Sequence, residues 1–134
     1  MPLIEIPEPK IKSPKTEIST ELKTLPSEES QVIVHGHFQS SHESHELIRI
    51  WRTTYLIPHD QYHKSRLLHF ENITLYPEWT IIPLGSTYRF TLIFSGLPKG
   101  CKVFDLIEEI PQSGGFEIRD IARTKSDVYH FKFG

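Results

Sequence analysis

The sequence predicts an all-β fold, an antiparallel β-sandwich of about 7–9 strands. Three observations lead there. From Gln31 onward apolar and polar residues alternate with a period of two. Turn-forming clusters of Pro, Gly, Ser, Asn and Asp interrupt that alternation every ~8–12 residues. No segment long enough for a stable helix carries a convincing 3.6-residue period.

The strands follow in order. In "QVIVHGHFQ", Val32, Val34 and Phe38 share one face, while Ile33, His35 and His37 take the other. "ELIRIWRTTYLI" is rich in β-branched and aromatic residues, and its inward face changes near Arg52-Thr53, as a bulge or a strand switch would make it do. The turn "PHDQYHKS" leads into "RLLHFENITLY". "TYRFTLIF" alternates most cleanly, with Tyr88, Phe90, Leu92 and Phe94 opposite Arg89, Thr91 and Ile93. Gly96 and "LPKG" close it through a proline-fixed φ and glycine freedom. "KVFDLIEEI" suits two helical turns or a strand, and its flanking Pro98, Gly100 and Pro111 suit a strand as well. After "PQSGG" come "FEIRDIA" and "VYHFKF".

Residues 1–30 differ in kind. They hold five of the ten prolines and none of the fifteen aromatic residues, with four Lys against six Glu. Such a mixture buries too little apolar surface to offset chain entropy, so the expectation is a flexible tail or linker ahead of one domain at 31–134. Ile18, Leu22 and Leu25 at helical spacing leave room for a short transient helix.

With 15 Lys plus Arg against 17 Asp plus Glu, the formal charge is -2. There is no basic excess to hold phosphate backbones, and nucleic acid is not an expected partner. The single cysteine, Cys101, excludes an intrachain disulfide and multi-cysteine metal centres. No run approaches the ~20 apolar residues of a transmembrane helix, and "MPLIEIPEPK" is not a signal peptide. A soluble chain is expected, free-standing or the mature part of an exported protein.

Catalytic signatures are lacking. The serines of "LGSTY" and "IFSGLP" are not in G-x-S-x-G, and Cys101 has no defined histidine partner. "GLPKGCK" has the wrong spacing for a phosphate loop, and Pro98 removes an amide such a loop needs. Glu108 and Glu109, adjacent on a strand, face opposite ways and cannot form an acid–base pair, and Asp105 reads as a polar position on a half-buried strand. Asn72-Ile73-Thr74 is a glycosylation sequon only in a eukaryotic secretory pathway.

Two groups of residues remain as candidate sites. "HGHFQSSHESHE" places His35 and His37 on one strand face, and His42 or His45 from the next turn would complete three ligands for zinc or copper. Against this, His42-Glu43-Ser44-His45 is not the H-E-x-x-H pattern and no cysteine lies near, so a polar hairpin turn is the favoured reading. His59 and His63 in "HDQYH" are weighed the same way. The other group is "YPEW", where Tyr76 and Trp79 beside Pro77 would stack on a sugar or a peptide. The favoured alternative makes Trp79 a core plug between sheets.

The run "FTLIFSGLPKGCKVFDLIEEIPQSGGFEI", with "RTTYLI" and "ENITLYP" before it, resembles uncharacterised bacterial domains of immunoglobulin-like β-sandwich type. The resemblance covers residues 47–133 and rests on a strand, an "LP" turn and an "FDLIE" strand. It implies an architecture and no catalytic residue. The immunoglobulin Cys, Trp and Cys spacing is absent, since the tryptophans are Trp51 and Trp79 and Cys101 stands alone. The expectation is therefore a non-catalytic interaction module without a cofactor, its partner an unknown protein or peptide. A metal-binding domain and a carbohydrate-binding sandwich are the alternatives.

Overall fold

The computed structural model describes residues 30–133. The tail expected over 1–30 lies outside them except for Ser30. Among the described residues there is no helix, and hence none long and apolar enough to cross a membrane. Nine strands run β1 (Val32–Gln39), β2 (Glu46–Ile48), β3 (Thr54–Pro58), β4 (Ser65–Glu71), β5 (Thr80–Ile82), β6 (Thr87–Phe94), β7 (Val103–Glu108), β8 (Glu117–Ala122) and β9 (Val128–Phe133). Seven of them form one sheet in the order β8-β7-β3-β4-β6-β1-β9, and β2 with β5 makes a separate two-stranded ribbon.

The seven-stranded sheet curls because β4 changes partner along its length. Its first residues pair with β3, as Tyr55↔Arg66 and Leu56↔Ser65, and the rest pair with β6, from Leu67↔Phe94 to Glu71↔Thr91. A register slip between Leu67 and His69 marks the bend, as bulges do when a sheet turns a corner. The two halves then face each other across a common core. Val32, Val34, Leu92 and Phe94 come from one half, and Leu56, Phe104, Leu106 and Ile121 from the other. Phe104 on β7 meets Tyr129 on β9 edge to face, with ring centroids 5.2 Å apart.

Several elements depart from the expectation. β1 pairs antiparallel with β6 but parallel with β9, through Ile33↔Val128 to Phe38↔Phe133, so the sheet is not purely antiparallel. "ELIRIWRTTYLI" does switch strand, the break spanning Arg49 to Thr53 between β2 and β3, which belong to different sheets. "WTII" supplies β5, an additional strand three residues long. Of the two forms "KVFDLIEEI" allowed, the strand is the one found, over Val103–Glu108. Asp105, expected as a polar position on a half-buried strand, is itself buried and covered from β8 by hydrogen bonds described below.

Candidate functional site

Where β2, the β2–β3 connection and the β7–β8 turn meet the open end of the curled sheet, they enclose a cleft of about 320 Å³. That volume is within the range of small-ligand sites. Its floor is aromatic. The Phe133 ring lies 5.3 Å from Phe90 and 5.2 Å from Phe116, between centroids. Leu47, Ile48 and Trp79 line the ribbon side.

Two charged groups converge on this apolar space. Glu108 ends β7 and is buried, and its carboxylate accepts a hydrogen bond from the Trp51 amide at 3.1 Å. Burial pushes its pKa up, against the opposing pull of the Trp51 and Phe116 amides and of the Arg49 charge. The β7–β8 turn lies tight against the end of this strand, so that a side chain at Gly115 would collide with the Glu108 carbonyl. Arg49 sits at the other wall. Its guanidinium carbon is 3.7 Å from the Trp79 ring centre and 4.6 Å from that of Tyr76, and it donates to the Pro77 carbonyl at 3.3 Å. Tyr76 in turn stacks on Trp51 with centroids 3.8 Å apart.

Tyr76 and Trp79 therefore do come together, joined by Arg49. Trp79 is 50 % exposed, so it is not a plug between sheets. Arg49 and Glu108 carry no motif of their own. They reach the cleft only because the β2–β3 connection crosses the end of β7, with the Glu109 amide donating to the Thr53 carbonyl at 2.9 Å. The cleft also continues outward as an apolar surface, since Leu47 and Ile81 face each other across the ribbon and both are exposed.

The expected hairpin turn is not formed, because β1 pairs with β6 and β9 whereas β2 pairs with β5 in the separate ribbon, and the four histidines of 35–45 do not converge. His37 has Arg89 and Lys132 as its cross-strand neighbours, a cationic setting that opposes a metal ion. His35 instead stacks on His130 of β9 at 5.0 Å and hydrogen-bonds Thr91 at 3.0 Å. Burial first, and then the His130 charge, lowers the His35 pKa. The His42 ring lies against Gly85, and His45 is exposed. His63 hydrogen-bonds the buried Ser65 hydroxyl at 2.9 Å.

His59, which follows β3, behaves differently. Its Nε2 lies 2.8 Å from Oδ1 of Asp105 and 3.3 Å from Oδ1 of Asp120. The register of β7 with β8 slips between Phe104 and Leu106, inserting an extra residue into β8 opposite Asp105, and Asp120 there has a φ of 58°. This bulge brings two more donors onto the Asp105 carboxylate, the Asp120 amide at 2.9 Å and the Arg119 guanidinium at 3.1 Å. Burial pushes the Asp105 pKa up. The Asp120 amide, His59 and Arg119 outweigh it and hold the carboxyl below its ordinary value. The Asp105 hydrogen bond is the main cause raising the His59 pKa.

No family model matches the chain, no curated protein matches it, and no solved structure does.

Proposed function

We propose that this chain is a non-catalytic binding module, a sandwich of immunoglobulin-like architecture whose cleft receives an apolar anchor from a protein or peptide partner. The observation that carries this reading is the cleft itself. An aromatic floor opens through Trp79 onto the exposed pair Leu47 and Ile81, so an apolar side chain and the segment bearing it have a continuous surface to cover. β2 and β5 pair only with each other among the described residues, which leaves backbone groups on the ribbon's outer edges for a partner strand.

The carbohydrate reading has less support. Sugar platforms present free aromatic faces, whereas Tyr76 is stacked on Trp51 and Arg49 occupies Trp79. A metal centre in the β1–β2 stretch lacks support too, because His35, His37, His42 and His45 are dispersed.

The test is a peptide phage-display selection on the full chain, followed by amide NMR titration with the enriched peptide. Shifts are expected at Arg49, Trp51, Gly114 and Phe116, with affinity at least about tenfold weaker in Trp79→Ala. No enrichment, or shifts clustered on another face, would overturn the proposal.

A further inference from the structure

We infer that His59, Asp105 and Asp120 form a divalent transition-metal site, with zinc as the ion their chemistry fits best. Among the described residues, this is the group of three or more ligating side chains whose donor atoms all lie within 4.8 Å of one another. An ion held at about 2.0–2.2 Å by nitrogen and oxygen ligands separates neighbouring donors by about 2.9–3.4 Å, from octahedral to tetrahedral geometry. The distances of 2.8 and 3.3 Å from His59 Nε2 to the two carboxylate oxygens are close to those edges.

The donor set selects the class of ion. One imidazole with two carboxylates suits zinc and its first-row neighbours, while calcium and magnesium prefer oxygen alone. Neutral His59 and two carboxylates balance a doubly charged ion, which takes the position of the proton shared between His59 and Asp105, while Glu117 at 3.0 Å offsets the Arg119 guanidinium that reaches Asp105.

The surroundings orient the ligands. Asp105 is held by Arg119 on Oδ2 and by the Asp120 amide on Oδ1, in the way outer-shell donors fix a ligating carboxylate. Asp120 is otherwise uncommitted. Its carboxylate receives no hydrogen bond from another described residue beyond the approach of His59, and its left-handed backbone at the bulge turns it to that imidazole. The Asp120 side chain is 78 % exposed, so water completes the coordination.

The experiment is calorimetric titration of zinc chloride into the full chain at neutral pH, with His59→Gln and Asp120→Asn alongside. Asparagine tolerates the left-handed conformation, so Asp120→Asn keeps the fold and remains decisive if His59→Gln is unstable. The expected result is one zinc per chain, bound at least about tenfold more weakly in each variant. A double variant, His35→Gln with His130→Gln, is expected to bind as the parent does. Absence of binding, binding that survives Asp120→Asn, or binding lost only in the His35 and His130 variant would overturn the assignment.

Discussion

Glu108 shows how much a single residue depends on what closes over it. An ionised carboxylate inside an apolar cleft costs free energy unless donors compensate, and here two backbone amides and a nearby guanidinium do so only in part. The fold therefore holds the proton of this carboxyl more tightly than the unfolded chain does. With a folded pKa above the ordinary 4.5, the group's contribution to stability is complete below that value and is lost as pH rises through the raised one. Glu108→Gln keeps an acceptor for the Trp51 amide and removes the titration. Thermal melts are expected to show the variant gaining stability relative to the parent between pH 4 and pH 7, and an unchanged difference across that range would refute this account. The residue's importance was hidden in the sequence. Alternation put Glu108 and Glu109 on opposite faces, as they are, but gave no sign that the inward one would meet Trp51 and Phe116 from distant elements. Tyr76 and Trp79 were legible as aromatics beside proline, but the favoured reading made Trp79 a core plug, and its exposure depends on the ribbon and on Arg49, which local pattern does not show.

At the scale of an element, β1 is limited by what its neighbours place against it. Gly36 lies on the inward face, between Phe90 of β6 and Phe133 of β9, and a methyl group there would overlap both rings. Gly36→Ala is expected to destabilise by about 1–3 kcal/mol, the usual penalty of overfilling a well-packed site. In a domain of roughly 100 residues each kcal/mol lowers the melting temperature by about 4–8 °C, so differential scanning calorimetry resolves the change. A neutral result would mean that the two rings move aside without cost. The β8–β9 connection shows a different restraint. Arg123 forms paired hydrogen bonds to Asp127 at 3.1 and 3.0 Å, and the Tyr129 hydroxyl donates to the same carboxylate at 3.0 Å. These polar groups satisfy one another where the chain turns into β9, so the turn needs no glycine even though Asp127 has a φ of 55°.

For the whole molecule, period-two alternation marked strands such as β1, β3 and β6, which turn one face to the core, but not β7, where Phe104, Asp105 and Leu106 are all buried and the sequence suited a short helix as well as a strand. The pairing order was not readable the same way. A parallel contact between β1 and β9 joins opposite ends of the domain, and local pattern carries no information on which distant edge a strand will meet. The three-residue β5 was missed for a related reason, since "TII" is too short for alternation to declare itself. The observed topology makes a testable demand on folding. The halves of the curled sheet are joined through β4 by only the Tyr55↔Arg66 and Leu56↔Ser65 pairs on the β3 side, whereas the core cluster spans both halves. Hydrophobic burial, rather than the ladder of hydrogen bonds, must therefore couple them. Unfolding in urea is expected to be one cooperative transition with a slope of about 1–3 kcal/mol/M. Fluorescence from Trp51 and Trp79 reports the cleft end, and far-ultraviolet circular dichroism reports the strands as a whole. The two curves are expected to coincide, since Ile50 and Ile73 tie the cleft walls to the same core as Phe94 and Phe104. A fluorescence midpoint at lower urea would instead show the ribbon and cleft opening first, and would make the cleft a locally unstable element that a bound partner stabilises.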